Sequence, residues 1–265
     1  MTSSHPYVTT ASVMELRRRL LAQDWAVLHD VEHMRLASAL DLQALAALRG
    51  DLQVRQFRRR LQHLFELDVL ARLERRVGGP SSGSTGWVYG LGLAGQRLLD
   101  PEGGVSVRRP WTPRPSWLTH ALASSHLYVV LKTADHAGQL HLLDYQPEPL
   151  CWRTFNDQGG STTLKPDAFA RFEVGDDVAS VFIEVDCATE SPATLSRKLD
   201  VYRQHWLSDA EQTEHGVYPE VLWLVPTNAR QAVVRRVVDR QPADAQALHR
   251  AARYDDALGV FTEPP

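Results

Sequence analysis

Cysteine is nearly absent. The 265 residues contain two, Cys151 and Cys187, with no CxxC pair and no disulfide framework, which points to a reducing compartment. The opening MTSSHPYVTT lacks the apolar run of a signal peptide, and no apolar stretch reaches membrane-spanning length. A cytoplasmic protein with no membrane partner is therefore expected. No repeat of solenoid length, P-loop, kinase signature or G-x-S-x-G elbow occurs, so the sequence offers no nucleotide cofactor and no serine nucleophile of that type. The eleven histidines are read as giving no structural zinc site.

What remains is a chain that is 43% apolar and 23% charged, enough for a real core. The net charge of −3 is unevenly spread. Residues 1–100 carry 13 Arg against 10 acids (+3), whereas 101–265 carry 16 basic against 22 acidic residues (−6). Residues 49–76 alone reach +4, with 8 Arg against 4 acids. A polyanionic partner is expected at the first half.

PEGGVSVRRPWTPRPSW, residues 101–117, holds four prolines and two adjacent glycines without apolar periodicity, and reads as a linker. It separates a domain over 1–100 from one over 117–265, with the linker at 101–116. Before it, helical spacing of apolar residues predicts helices over 12–22 and 24–37, then a short one over 41–48 with Asp41 as N-cap and Gly50 as stop. A longer helix opens at Leu52 with Phe57, Leu61, Leu64 and Leu67 on one side. Segments 69–77 and 86–91 read as two strands around a Gly/Ser turn. This order predicts a winged helix-turn-helix.

The long helix surrounds its apolar stripe with Gln53, Arg55, Gln56, Arg58, Arg59, Arg60, Gln62 and His63. Arginine neutralises phosphates or grips guanine edges, and glutamine pairs with adenine. Gln53, Arg55, Gln56, Arg58, Arg59, Arg60 and Gln62 are thus candidates for contact with double-stranded DNA, with Arg72, Arg75 and Arg76 of the wing. The alternative is a solvated face. GLGLAG at 90–95 fits G-x-G-x-x-G, but no acid for a ribose follows at the right distance. Its glycines read instead as the end of a wing strand and the start of a helix.

After the linker, 117–132 reads as a helix and 139–145, 163–174 and 178–186 as strands. A helix over 192–209, a strand at 220–225, a helix over 228–241 and a final strand near 258–262 complete an α/β layer structure. Three acids interrupt its strands. Alternation puts Val181, Ile183 and Val185 on one face of 178–186, and Phe182, Glu184 and Asp186 on the other. With a turn at Gly175-Asp176-Asp177, Asp167 and Glu184 come level to within about a residue in strand register. Two level carboxylates suit a hard cation, Mg²⁺ or Mn²⁺. In the following helix, capped by Ser191 and Pro192, Lys198 and Tyr202 lie four apart on one side, and Lys198 can lean toward the carboxylates. Glu190 lies within reach. His120 and His126, on different faces of the helix over 117–132, could border the site or simply pack.

Pro166-Asp167 followed by Glu184-x-Asp186 resembles the PD-(D/E)XK nuclease superfamily. A winged helix followed by KPDA, FIEVD, a T-E-S step and a K-L-x-x-Y helix resembles, more specifically, the replication-relaxation family of bacterial plasmid and mobile-element proteins. The resemblance covers about 20–265. It implies an α/β (α+β overall) fold, in which an N-terminal winged helix precedes a PD-(D/E)XK-like domain with a central mixed sheet flanked by helices. It also implies DNA association in plasmid replication or maintenance, with Asp167 and Glu184 as metal ligands. The superfamily's lysine is replaced by Asp186, so Lys198 or a second metal would have to supply the missing charge. A DNA-binding replication protein is the leading expectation. A metal-dependent endonuclease using Asp167, Glu184, Asp186 and Lys198 is the alternative, and a transcriptional regulator with a non-catalytic second domain is another. A homodimer or a replication protein are the further partners considered.

Overall fold

The computed structural model describes residues 9–50, 53–73, 86–100, 102, 114–157 and 160–263. The chain forms two compact units, residues 1–129 and 130–265.

The first unit contains α1 (Thr10–Arg19), α2 (Ala22–Met34), β1 (Ala37–Ser38), α3 (Ala39–Leu48) and α4 (Val54–Glu66). These are followed by β2 (Leu70–Leu73), β3 (Val88–Leu91) and α5 (Leu93–Leu99). Its sheet has the order β1-β3-β2, antiparallel throughout. Val27, Leu28, Val31 and Met34 of α2 meet Leu42, Leu45 and Ala46 of α3 and Phe57, Leu61 and Leu64 of α4 in one core. Each large side chain so buried contributes about 1.5–3 kcal/mol. The cap of α3 is Ser38, three residues before the expected Asp41. Its hydroxyl accepts the Asp41 N–H at 3.1 Å and donates to Asp41 Oδ2 at 2.6 Å. Asp41 is thus part of the first turn, where its charge favours the helix N-terminus.

Helix α6 (Pro115–His136) crosses the division between the units. Its residues Leu122, Ser125 and Val129 belong to the first, and Ser125 Oγ donates to the Leu36 carbonyl at 2.6 Å. The division falls after Val129; most of 101–116, the expected linker, lies outside the described residues, as does the Gly/Ser turn.

The three glycines of GLGLAG serve packing. Just beyond α4, Asp68 adopts φ +56°, and the Ala94 N–H of α5 donates to the Asp68 carbonyl at 3.0 Å. A Cβ on Gly92 would lie 2.1 Å from the Asp68 oxygen, and one on Gly95 2.1 Å from the Val69 oxygen.

The second unit is built on a five-stranded mixed sheet of β4 (His141–Pro147), β7 (Ala168–Val174), β8 (Asp177–Val185), β9 (Glu220–Val225) and β10 (His249–Arg253). A separate ribbon of β5 (Arg153–Asp157) and β6 (Gly160–Leu164) precedes β7. The sheet order is β10-β9-β8-β7-β4. β4, β7 and β8 run antiparallel in turn, and β8, β9 and β10 are parallel. The parallel steps need crossovers, supplied by α7 (Pro192–Leu207) and α9 (Asn228–Val238), with the short helices α8 (Ala210–His215), α10 (Ala243–Gln246) and α11 (Ala257–Thr262) beside them. Val181–Val185 is buried on both faces, as central strands of such sheets are. Phe182, Leu195, Leu199, Tyr202 and Trp223 form the core between sheet and helices.

The strand expected near 258–262 is the helix α11, and the last strand is β10. The spacing of Ala257 and Phe261, both buried, is helical. The expected strand 163–174 is two, interrupted at Lys165-Pro166-Asp167, because proline cannot donate to a ladder. The hairpin turn is tighter than expected, since Asp177 already pairs with Val174 and Gly175 takes φ +61°. Among the described residues no helix is long and apolar enough to cross a membrane.

The close approach of α5 makes one prediction. Gly95→Ala places a methyl group against a backbone carbonyl and should lower stability by about 1–3 kcal/mol, read as a lower urea midpoint. An unchanged midpoint would show that α5 does not rest on the Val69 turn.

Candidate functional site

Three buried acids lie where β7 begins and β8 ends. Ala168 pairs with Ile183, so Asp167 and Glu184 stand level, as strand register requires. Asp167 is 8% exposed, Glu184 2% and Asp186 7%. Carboxylates so far from water need partners, and each has them.

Asp167 accepts the Val185 N–H on Oδ2 at 2.7 Å. Glu184 faces α7, whose start is set by Ser191 as N-cap and Pro192. Lys198 Nζ donates to Glu184 Oε2 at 2.8 Å, and the Tyr202 hydroxyl donates to Oε1 at 2.8 Å. The i,i+4 spacing on one helix face brings both donors to one carboxylate. Lys198, one of three lysines in the chain, also lies 3.0 Å from Glu190 Oε1 and 6.0 Å from the centre of the Trp223 ring. Lys198 is thereby a single cation shared by two acids.

Burial raises the Glu184 pKa to about 7, and the Asp167 charge adds to it, while the charge and hydrogen bond of Lys198 and the Tyr202 bond oppose it. Burial alone lowers the Lys198 pKa, but the charges of Glu184 and Asp167 outweigh it and the net shift is upward. The Tyr202 hydroxyl is pushed well above its ordinary value, first by burial and then by Glu184.

Asp186 belongs to a second arrangement. Arg230 Nε donates to its Oδ2 at 2.6 Å, and the Ala188 N–H donates to Oδ1 at 2.6 Å. Arg230 Nη2 further donates to the Glu190 carbonyl at 2.8 Å. Asp186, at the position where the superfamily resemblance expects lysine, is therefore neutralised by an arginine from the first turn of α9. Sequence reasoning missed Arg230. The signal lay in TNAR, where Thr227 caps α9 through the Arg230 N–H, directly after the strand parallel to β8.

The expected Mg²⁺ or Mn²⁺ ligands are already engaged within the protein. Both Glu184 oxygens and one Asp167 oxygen already accept hydrogen bonds, and the Lys198 ammonium supplies the counter-charge. Among the described residues no group of three or more His, Cys, Asp or Glu side chains is disposed to hold a metal. His29 and His33 do stand four apart on α2, a ligand spacing that the sequence reading overlooked. His29 bonds Glu32 at 3.2 Å, and the His33 ring lies 4.6 Å from that of Tyr128. His126 holds Asp41 Oδ1 at 2.7 Å, and this bond raises its pKa against the effect of burial. It is a packing histidine of the first unit. His120 is half-buried there.

In the first unit, α4 turns Phe57, Leu61 and Leu64 inward and leaves Gln53, Arg55, Gln56, Arg58, Arg59 and His63 exposed. Three other candidates, Arg60, Gln62 and Arg72, are engaged. The Arg60 guanidinium grips buried Asp24 through Nε and, at 2.6 Å, Nη2. Arg72 bonds Gln62 and stacks 4.4 Å from the Phe65 ring centre and 4.5 Å from that of Trp87. Arg75 and Arg76 lie outside the described residues.

The raised Glu184 pKa fixes a sign. Its proton is held more tightly in the folded chain, so this contribution to stability is complete below the ordinary value of 4.5 and fades as pH rises toward about 7. Glu184→Gln should flatten that part of the pH profile of unfolding. An unaltered profile between those values would disprove the assignment.

No curated protein and no solved structure matches the chain significantly. The model of the replication-relaxation family matches residues 28–221, most of both units, and the chain belongs to that family.

Proposed function

We propose that this replication-related protein binds double-stranded DNA through α4, in plasmid or mobile-element replication and maintenance. The observation that carries this reading is the division of α4 into a buried apolar stripe and an exposed face of Arg55, Gln56, Arg58 and Arg59 without an acid in its first turn. In this reading the first unit is a winged helix-turn-helix, α4 its recognition helix and β2–β3 the base of its wing. Phosphates are neutralised by the exposed arginines, and the released counterions drive binding. Arg60 serves differently, since its bond to Asp24 ties α4 to α2.

Arg58→Ala combined with Arg59→Ala should weaken duplex binding roughly tenfold or more near 0.1 M salt. It should also lower the slope of log affinity against log salt by about 2. Fluorescence anisotropy with a labelled duplex measures both, and an unchanged affinity and slope would remove α4 from the interface.

The convergence of Asp167, Glu184 and Lys198 favours a second reading, a metal-dependent endonuclease of PD-(D/E)XK type. A cation would have to displace Lys198 from Glu184, and Arg230 already answers Asp186, so the geometry favours a domain that holds DNA without cutting it. Supercoiled plasmid incubated with the protein and Mg²⁺ or Mn²⁺ should remain supercoiled. Nicking that disappears in Asp167→Ala would instead establish the endonuclease.

A further inference from the structure

The β5–β6 ribbon stands apart from the five-stranded sheet, and its two faces differ in kind. One face is anchored. Phe155 and Leu164 lie in the core, and Arg153 donates to Glu211 Oε1 at 2.8 Å and to Gln146 Oε1 at 3.1 Å. At its base the buried Cys151 thiol donates to the Pro166 carbonyl at 3.0 Å. The period of two along a strand then sends the intervening residues outward.

Those residues are Trp152, Thr154 and Asn156 on one strand and Ser161, Thr163 and Lys165 on the other. They are one aromatic, four hydrogen-bonding groups and one cation, with no carboxylate among them. This occurs in a half of the chain, residues 101–265, whose net charge is −6. Thr154 and Thr163 bond each other at 3.2 Å. Trp152 remains 37% exposed, and the Lys165 ammonium lies 4.7 Å from its ring centre.

We propose that this outer face of the ribbon binds an unpaired DNA strand. An exposed indole offers a face on which a base can stack, and only an unpaired strand presents its base faces freely. The Lys165 ammonium, held over one face of the ring, supplies charge for the adjoining phosphate, and hydroxyl and amide groups along the strands serve phosphate and sugar oxygens. An aromatic platform with a cation alongside is how strands are held without regard to sequence. The anchored inner face keeps the platform rigid, so little ordering entropy opposes binding. The assignment rests on the replication-related reading of the chain but uses none of the residues of α4. Opening a duplex yields such a strand, which gives the second unit a ligand distinct from that of the first.

The test compares a labelled 20-nucleotide oligothymidylate with a duplex of the same length by fluorescence anisotropy. Trp152→Ala should weaken single-strand binding roughly 5- to 150-fold and leave duplex binding within about twofold. Trp152→Phe should recover most of the loss. Thr154→Glu, which puts an acid on the face without touching the core, should weaken single-strand binding as well. Arg58→Ala with Arg59→Ala should do the reverse, losing the duplex and keeping the single strand. If the wild-type protein does not bind the oligothymidylate, or if Trp152→Ala and Thr154→Glu both bind it normally, the proposal fails whatever happens to duplex binding. Failure of the α4 variant to lose the duplex would overturn the reading of α4 and leave the ribbon standing.

Discussion

A carboxylate 2% exposed in the central strand of the sheet is the constraint from which the second unit is arranged. Glu184 cannot remain charged there alone, because removing an ion from water costs several kcal/mol even after relaxation. Two donors from α7 offset part of that cost, Lys198 on one oxygen and Tyr202 on the other. The same residues sit on the helix face that buries Leu195 and Leu199. The helix is thus bound to the sheet by packing and by charge at once. Removing Lys198 would leave Glu184 and Glu190 without their shared cation.

Asp186, two residues on, points to a different neighbour. Its link to Arg230 ties the end of β8 to the start of α9, and Arg230 also holds the Glu190 backbone. The lysine that the superfamily resemblance expects at this position is replaced by an acid with its own arginine, while Lys198 approaches Glu184 from the helix. Two cations drawn from two helices, Lys198 and Arg230, therefore offset part of the charge of these acids within the protein.

Much of the fold was legible because apolar periodicity is a local signal. The helices α2, α4, α7 and α9, the strand β9 and the level pairing of Asp167 with Glu184 all follow from spacing. The misses share a cause. β10 and the ribbon strand β5 mix Arg, His and Asn among few large apolar residues, so their apolar pattern is too weak to read. The helix α11 is too short for its period to be distinguished from a strand. Ser38 and Asp41 have the same preference for a cap position, and only the structure shows that Ser38 takes it.

By itself, the sequence determined which residues are apolar, which helices are amphipathic and which acids share a strand face, since these depend only on residue type and a fixed period. It also determined that α4 carries its arginines opposite its core stripe. Only the tertiary structure decided which of those charges are engaged. Arg60 and Arg72 look equivalent to Arg58 and Arg59 in the chain. One meets Asp24 36 residues away, and the other stacks between Phe65 and Trp87. Arg230 reaches Asp186 across 44 residues. Such pairings are set by where the elements come to rest, and desolvation makes them necessary once the elements are there.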